Sequence, residues 1–515
     1  MTGTTGRLTV PPHPLVLEID TWPWLSALTG SEGRRIDLGS VPAPVWDSVA
    51  DGGYDVVWLM GVWRRSPAGI AVALDNPDLR HSFESALPDF TDDDVVGSPY
   101  CVREYVVDDH LGGRAGLATA RAELGKRGIG LFLDFVPNHV APDHPWVTAH
   151  PDRFVLGDDA DLERDPSTFV GLGDHVFAHG RDPYFPAWPD VLQLNAFSPE
   201  LRAGVIETMQ DIAGQCDGVR CDMAMLMMDD VFAATWGERV GTPPTRAYWP
   251  EVIDAVRRTH PGFVFVAEAY WDREFPLQQQ GFDHCYDKRL YDRITTGGAP
   301  EVAAHLSGDT TYQTRLLRFL ENHDEPRAAS ILDPAHHRAA AMATLTQCGA
   351  RLVHDGQTRG WRTHLPVFLG RFPEEPTDLD LEAFYRSLLD ALSDPTFHQG
   401  EWRLCRTSGW ENNDTAAQIV SWCWTGESRW LVVVNLGADG AAAHVAAPWR
   451  ELRARTVHLH DPTQDISFDR SGDDLDDGLY VELPGWGWHL FRVDEAPDEA
   501  AGAAARTSGQ TGETP

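Results

Sequence analysis

Four segments of this chain share one form, a run of apolar, strand-forming residues that ends abruptly in charged or polar groups. The segments are LFLDFVPNH (131–139), DGVRCDMAM (217–225), FVFVAEAYW (263–271) and RFLENHDEP (318–326). The acids at or just past these ends are Asp134, Asp222, Glu268 and Asp324. In a fold of repeated strand–helix units such ends converge on one face, and barrel enzymes hold their catalytic groups on that face.

Each acid has a simpler explanation when it is taken alone, because Asp often caps the helix that follows a strand. Four acid-bearing strand ends in one chain favour a shared pocket instead. Several carboxylates that converge on one pocket are what the cleavage of a glycosidic bond requires.

Strand and helix patterns alternate from about residue 15 to residue 400. The other runs that predict strands are LVLEID (15–20), DVVWLMGVW (55–63), the weaker GFDHCYDKRL (281–290) and ARLVHDGQ (350–357). Helical spacing covers 112–127, about 199–215 and about 248–259. About eight strand–helix units in this length predict an α/β fold, a (β/α)8 TIM barrel, over residues 13–400.

Other parts of the chain break this rhythm. Residues 140 to about 190 are rich in Pro, Asp, His and Gly, which predicts a short inserted subdomain that follows the third strand and overhangs the pocket. Short alternating strands separated by turn residues predict a C-terminal antiparallel β domain, a β-sandwich, over 401–494. We expect residues 1–12 to be a flexible lead-in and 495–515, low in apolar bulk, to be a disordered tail.

The charge of the chain excludes some classes of partner. It carries 78 acidic residues against 42 basic ones, a net charge of −36. Nucleic acids and anionic membranes call for clusters of Lys and Arg, so we expect neither as a partner. Without an apolar signal segment or a run of about 18 apolar residues, a soluble, cytoplasmic protein is predicted.

Seven cysteines are scattered singly, with no CxxC pair and no Cys/His spacing typical of a metal site. Reduced thiols are therefore expected, and neither a disulfide framework nor a zinc site. Cys221 stands beside Asp222, but neighbours on a strand point to opposite faces. If Asp222 faces the pocket, Cys221 packs outward and is not the nucleophile.

In this order and spacing, the four segments resemble the signature regions of the α-amylase superfamily, glycoside hydrolase family 13. DFVPNH, GVRCD, VAEAYW and ENHDEP are similar to its first to fourth regions. YCVREYVVDDHLGG (100–113) resembles its tyrosine-bearing loop after the second strand, and LVHDGQ its eighth-strand end. The resemblance covers roughly residues 15–400 and a C-terminal β domain of the usual kind, and it implies a cytoplasmic, bacterial-type member.

The resemblance implies a retaining mechanism with two reacting carboxylates. Asp222 would be the nucleophile that forms a covalent glycosyl-enzyme. Arg220, two residues earlier on the same strand face, would keep it ionised. Glu268 would be the general acid and then the general base, and its apolar flanks favour a raised pKa and a protonated resting state.

Other residues would bind the substrate. Asp324 would be the third acid, binding sugar hydroxyls and favouring the distorted transition-state ring. His323 and His139, each directly after an Asn at a strand end, would donate hydrogen bonds to the sugar, although a lone His is more often structural. Tyr100 would be an aromatic platform under the sugar unless it is an ordinary packing tyrosine. Asp134, like Arg220, would shape the substrate-binding site rather than react.

Departures from the family bear on specificity and cofactors. Met225 and Leu226 stand where endo-acting α-amylases usually carry a Lys-His pair, which suggests a narrower or more apolar acceptor side. No cofactor is predicted, and calcium is kept only as an alternative. Asn138 matches a position that binds calcium in many relatives, yet one amide oxygen does not make a site of six to eight oxygens. The tryptophans expected nearest the sugar are Trp63, Trp188, Trp271 and Trp361.

The sequence thus predicts a retaining α-glycosidase or transglycosylase acting on α-linked glucosides, with an α-glucoside or oligosaccharide as substrate. One alternative is a trehalose- or glycogen-related glucosyl or maltosyl transferase or isomerase. Another is a catalytically silent sugar-binding barrel, although such proteins typically lose one or more of the acids. The sugar, its linkage, hydrolysis against transfer, exo against endo action, and the oligomeric state stay open.

Overall fold

The structure is a computed structural model that describes residues 9–496. The predicted flexible lead-in and disordered tail therefore lie largely outside the described residues. The described chain divides into two compact units. The first unit runs to Tyr291 and adds Asp309–Asp333 and Gln347–Arg386, while the second holds Asp292–Gly308, Pro334–Thr346 and the chain from Ser387 onward.

Eight parallel strands close into a barrel in which each strand pairs with its neighbours along the chain and the last pairs with the first. The strands are β1 (Leu15–Asp20), β2 (Val56–Met60), β3 (Gly130–Phe135), β4 (Gly218–Cys221), β5 (Val264–Ala267), β6 (His284–Tyr286), β7 (Leu316–Phe319) and β8 (Ala350–His354). Every residue of β2, β3, β4, β7 and β8 is buried, as strands covered on both faces must be. The predicted (β/α)8 barrel is confirmed.

Helices connect successive barrel strands. In chain order they are Thr21–Glu32, Ala43–Asp51, Pro67–Asp75, Pro77–Ala86, Gly113–Lys126, Pro199–Ala213, Asp229–Trp236, Tyr248–Thr259, Glu274–Gln279, Lys288–Thr295, Ala299–Leu306, Thr310–Gln313, Ala328–Ile331, Pro334–Leu345 and Leu379–Leu392. A two-stranded hairpin of Trp63–Arg65 and Val102–Val107 lies between β2 and β3 in the chain. The helices predicted from spacing at 112–127, 199–215 and 248–259 form within two residues of those bounds.

Two apolar runs are divided differently from the prediction. The run 55–63 yields β2 and, after Gly61 at a φ of 79°, the first hairpin strand. Glycine adopts this left-handed conformation readily, and it breaks the strand. The weak run 281–290 gives only the three residues of β6, because Lys288 already begins a helix.

The inserted segment after β3 is a small antiparallel sheet with two short helices, Trp146–Ala149 and Asp159–Arg164. Its strands are His139–Val140, Leu156–Gly157, Phe169–Leu172, His175–Gly180 and Trp188–Gln193. The first and last strands pair with each other, His139 opposite Gln193 and Val140 opposite Leu192. The insertion therefore leaves the barrel and returns to it at one place.

The second unit is built on antiparallel sheets, which confirms the predicted C-terminal β domain. Its strands are Glu401–Leu404, Arg406–Ser408, Ile419–Thr425, Arg429–Asn435, Ala441–Ala446, Thr456–Asp461, Ile466–Ser471, Leu479–Leu483 and Trp488–Glu495. They form a six-stranded and a three-stranded sheet whose apolar side chains share one core. The short helices Thr396–Gln399 and Gly472–Asp477 accompany them. We propose 401 as the start of the domain, since its first strand begins there.

All seven cysteines are buried. Within residues 9–496, no helix combines the length and the apolar character needed to cross a membrane.

Two glycines at the start of neighbouring barrel strands provide a test of this packing. A Cβ added to Gly218 would lie 2.5 Å from Phe132 Cε1 and 2.8 Å from the carbonyl oxygen of Val264, whereas at Gly130 the nearest atom would be Val56 Cγ2 at 3.6 Å. We expect Gly218→Ala to lower the free energy of unfolding by about 1–3 kcal/mol because the strands cannot separate. Gly130→Ala, the matched control, should leave it equal or raise it by up to about 1 kcal/mol. Urea unfolding followed by tryptophan fluorescence measures both, and equal stability of the two variants would contradict the packing.

Candidate active site

The barrel places the predicted acids at the carboxyl ends of its strands. Asp222 directly follows β4 and Glu268 directly follows β5, while Asp324 lies in the loop after β7. The strand register puts Arg220 of β4 level with Asp134 of β3. Because the apolar residues of each strand are buried, the polar residues that follow them lie together at the carboxyl end of the barrel.

Arg220 joins the two acids that follow β4 and β5. Its Nη1 donates a hydrogen bond to Asp222 Oδ1 over 2.7 Å, and its Nη2 lies 2.8 Å from Glu268 Oε2. The guanidinium is 1% exposed and contacts the rings of Trp58 and Tyr286 at 5.5 and 5.6 Å. A charge so buried is stable only when it is paired, so both carboxylates are held against one cation.

Glu268 is bound from several sides in addition to the contact with Arg220. Its Oε2 accepts a hydrogen bond from the Met223 backbone N–H (2.6 Å), and its Oε1 accepts one from the Tyr270 hydroxyl (2.9 Å). Burial raises the pKa of Glu268 to about 7, a rise that Arg220 opposes and the carboxylates of Asp222 and Asp324 increase. A carboxyl group that holds its proton near neutral pH can act as a general acid.

The residue after the nucleophile candidate has an unusual backbone. Met223 adopts a φ of 39°, a left-handed conformation that is uncommon for a residue with a side chain. This turn directs its N–H at Glu268, while the Asp222 N–H donates to the carbonyl oxygen of Phe135 in β3. Residues with such strained backbone angles are found preferentially at functional sites.

Asp324 and His323 form the other side of the site. His323 Nε2 lies 3.1 Å from Asp324 Oδ2 and 2.6 Å from the Tyr100 hydroxyl, and His323 Nδ1 contacts Glu18 closely. Although burial alone would lower it, Asp324 and Glu18 raise the pKa of His323 well above its usual range. His323 in turn holds the pKa of Asp324 well below its usual range despite the effect of burial. The Asp324 side chain is 43% exposed, the most open of the three acids.

Asp134 lies beneath the site. It is fully buried, and its oxygens accept hydrogen bonds from Trp58 Nε1 (3.2 Å) and the Gly61 backbone N–H (2.7 Å). Burial raises the pKa of Asp134 to about 6. Protein donors thus already bind both of its oxygens, and its role in shaping the substrate-binding site stays a prediction.

The structure brings Tyr100 and His139 to the site. The half-buried Tyr100 ring stacks on His323 at 5.4 Å and lies 5.1 Å from the Arg220 guanidinium. His139 is 6% exposed, meets Trp188 edge-on at 5.3 Å, and burial lowers its pKa. The roles of these side chains as substrate contacts stay predictions.

Several residues named for specificity lie in the core. Trp63 is 1% exposed, Met225 is 0% exposed and Leu226 is 3% exposed, so none of them offers surface to a sugar. The expected apolar acceptor side is thus not formed by Met225 and Leu226. Trp271 is half-buried, at a φ of 59°, and meets the exposed ring of Tyr184 in the insertion at 4.7 Å. Burial raises the pKa of Cys221 well above its usual range, which removes it as a nucleophile.

Sequence reasoning missed a buried ionic network at the ends of β1 and β8. Glu18 is 0% exposed beside His323, and Asp20 lies 3.3 Å from His354. Arg327 Nη1 donates to Glu321 Oε1 over 2.7 Å and lies 2.8 Å from His354 Nδ1. The run LVLEID carried the same pattern of an apolar strand ending in acids, so it could have pointed to Glu18 and Asp20. Tyr270, two residues after Glu268, had no comparable signal.

Two groups of residues bear on metal binding. Glu18, Asp20 and His354 offer ligand atoms within 4.8 Å of one another. Burial and Arg327 lower the pKa of His354, but Asp20 and Glu321 raise it to about 9. A protonated imidazole has no lone pair for a metal, so an ion would have to displace this proton. Asn138 is 1% exposed and its Oδ1 already accepts a hydrogen bond from Gln193 Nε2; the calcium alternative stays a prediction.

Sequence comparison relates the chain to enzymes of α-glucan metabolism. It is 25% identical over 351 residues to "Alpha-amylase MalA" of Haloarcula japonica, which covers 65% of this chain and 47% of that protein. It is 28% identical over 207 residues to "Alpha-1,4-glucan:maltose-1-phosphate maltosyltransferase 1" of Streptomyces coelicolor, 39% of this chain and 26% of that one. The chain thus spans about half or less of the length of these curated relatives. No protein-family profile matches it.

Solved structures share the fold along almost the whole chain. A maltogenic α-amylase, AmyB, from Thermotoga neapolitana has a TM-score of 0.65 at 19% identity, with 93% of this chain and 98% of that chain covered. The α-amylase of Geobacillus thermoleovorans, solved with acarbose, also has a TM-score of 0.65, at 16% identity, with 95% and 100% covered. At these identities the likeness shows the fold.

The hydrogen bond from Tyr270 to Glu268 leads to a prediction about proton affinity. Without the hydroxyl the carboxylate form loses a donor, so Tyr270→Phe should raise the pKa of Glu268 above its value of about 7. The titration is measured by infrared difference spectra of the protonated carboxyl group, each variant minus the same variant with Glu268→Gln.

Tyr480 is the matched control, because its hydroxyl donates to Glu482 over the same 2.9 Å and with the same two-residue spacing. Tyr480→Phe should leave the Glu268 titration unchanged. A Tyr270→Phe midpoint equal to or below that of the wild type would show that the hydroxyl does not stabilise the carboxylate.

Proposed function

We propose that this chain is a member of the α-amylase superfamily and, from its site, a retaining α-glycosidase or transglycosylase acting on α-linked glucosides. The observation that carries the proposal is the Arg220 guanidinium, which holds Asp222 and Glu268 together at the mouth of the barrel. Asp324 opens toward solvent beside them. A protonated and an ionised carboxyl group in one site suit double displacement.

In the first step, Asp222 attacks the anomeric carbon while the bond from that carbon to the leaving oxygen breaks. Glu268 gives its proton to the leaving oxygen, so the aglycone departs as a neutral alcohol. The product is a glycosyl ester on Asp222, and the Glu268 carboxylate is stabilised by Arg220, Tyr270 and the Met223 N–H. The same contacts that hold Glu268 in place thus support its charged form.

In the second step, Glu268 takes a proton from water or from a hydroxyl of another sugar. The resulting oxygen attacks the anomeric carbon and releases Asp222 as a carboxylate. Two inversions return the original α configuration. Protonated His323 and ionised Asp324, 3.1 Å apart, are suited to donate to and accept from hydroxyls of the sugar ring that contains this carbon.

Transfer is a second candidate beside hydrolysis. Its support is that three of the curated relatives are named maltosyltransferases, against one named an α-amylase. The two reactions share the glycosyl-enzyme and differ only in the acceptor. Incubation with maltoheptaose, alone and with inorganic phosphate or added maltose, separates them: hydrolysis yields reducing ends, and transfer yields glycosyl phosphates or longer chains.

Replacement of the proton donor tests the reaction class. Glu268→Gln should lower kcat on maltoheptaose by about 10²–10⁴-fold, because the amide cannot deliver a proton. Wild-type kcat/KM should fall as the pH rises through about 7, where Glu268 loses its proton. Glu274→Gln, which changes a buried carboxyl group six residues later, is the control and should keep near-wild-type activity. Equal activity of both variants would contradict the role of Glu268 as proton donor. No product from any α-glucoside would favour the silent sugar-binding barrel.

Azide distinguishes the nucleophile from the acid. Asp222→Gly with an aryl α-glucoside and azide should give a β-glycosyl azide, since azide then makes a single inverting attack. Glu268→Gly with the same reagents should give the α-glycosyl azide, because azide resolves the glycosyl-enzyme on Asp222. Proton NMR of the products reads the configuration, and exchanged outcomes would reverse the two assignments.

A further inference from the structure

A cavity lies apart from the residues proposed for catalysis. Its volume is about 260 Å³, and none of the residues proposed for catalysis lines it. Three parts of the chain form its walls: the hairpin strand Val102–Val107, the start of the insertion, and the helix Pro199–Ala213. Its volume is below the range of about 300–1,000 Å³ found for pockets that enclose drug-sized ligands. It therefore suits a shallow contact with one or two rings of a ligand.

Two aromatic rings line this cavity and both are held in place. The half-buried Trp146 ring has the Arg153 guanidinium over it at 4.4 Å and the His144 ring against its edge at 4.8 Å. The Tyr105 hydroxyl donates to the Val136 carbonyl oxygen, which fixes the tyrosine ring. Fixed aromatic surface packs well against the C–H face of a sugar.

A buried histidine supplies a hydrogen-bond donor. His144 lines the cavity, is 5% exposed, and its Nδ1 accepts a hydrogen bond from the Trp146 backbone N–H at 3.1 Å. Burial and Arg153 lower the pKa of His144 to about 4, so the ring is neutral and carries its proton on Nε2. Among residues 9–496 this N–H has no acceptor, which leaves it for a ligand.

The cavity also presents acceptors whose charge is already balanced. Glu104 pairs with Arg64 over 2.8 Å, and Asp211 pairs with Arg114 over 2.9 Å. Each carboxylate can still accept a hydrogen bond, because ionised carboxylates have about four lone-pair sites. Carboxylates repel an anion, and their arginine partners reduce the attraction for a cation. The combination of aromatic surface, one N–H donor and carboxylate acceptors matches a neutral polyhydroxylated ligand.

We propose that this cavity is a secondary site that binds a glucosyl unit of an α-glucan without cleaving it. The identity of the sugar rests on the proposed function. Such a site holds a longer glucan on the enzyme surface while another part of the chain reacts, so it should affect polymers and leave short substrates unchanged.

Two variants test the site independently. Trp146→Ala removes an aromatic wall, while Thr208→Arg fills the cavity from the helix with a residue of higher helix propensity. Glu207→Arg, the exposed neighbour on the same helix, is the matched control. Binding is measured by the retardation of each protein in native gels that contain glycogen or, for comparison, a soluble β-glucan. All are made in the Glu268→Gln background so that the polymer is not degraded.

We expect both variants to weaken glycogen binding by about tenfold, the effect of losing roughly 1.4 kcal/mol of contact, and Glu207→Arg to have no effect. With Glu268 intact, kcat/KM on an aryl α-glucoside should stay at the wild-type value in all three. Unchanged retardation of Thr208→Arg would overturn the proposal, even if Trp146→Ala lost binding through structural damage. Retardation without cleavage of any α-glucoside would instead overturn the proposed function and leave this site standing.

Discussion

The catalytic end of this barrel depends on one buried cation. The Arg220 guanidinium is almost fully removed from water, a position that is costly unless the charge is paired. Its partners are Asp222 and Glu268, and the aromatic rings of Trp58 and Tyr286 enclose it. The same contact therefore stabilises the charge, aligns two strand ends and holds the two carboxyl groups close to each other. The contacts that neutralise the buried Arg220 charge are thus the same contacts that position the two acids.

Behind that contact, charges of opposite sign alternate toward the first and last strands. Glu18 contacts His323, which contacts Asp324, and Asp20 contacts His354. Each of these acids lies against a histidine, so the chain pairs acidic with basic side chains in a largely buried space. This arrangement explains why the histidine beside Asp324 carries a proton although burial disfavours it. The proton makes the imidazole a donor on both nitrogens, and the two acids fix its orientation.

Much of this arrangement could be predicted because it follows from one rule, that buried parallel strands are apolar and their ends are polar. The rule identified the acids at 222, 268 and 324 and the barrel that carries them. It could also have pointed to Glu18, since LVLEID is an apolar run that ends in acids, but not to the pairing of Glu18 with His323, which is distant in sequence. Nor could it identify Tyr270, whose role depends on a side-chain direction, or Met223, whose backbone angle no residue type reveals. It placed Asp134 at the site but could not show that both its oxygens are bound by protein donors. Long-range contacts and backbone angles are set by packing, and these are the parts that the sequence leaves open.

The pairing of the first and last strands of the insertion has a consequence for how enzymes of this kind diversify. Because His139 and Gln193 face each other across one ladder, the intervening 53 residues leave the barrel and return to it at one place. Such a segment can be lengthened, shortened or exchanged without re-threading a barrel strand. The paired ends cannot vary so freely, since His139 belongs to the ladder and lies beside the candidate site. Recombination and laboratory design can therefore change the rim and leave the acids at the strand ends in place.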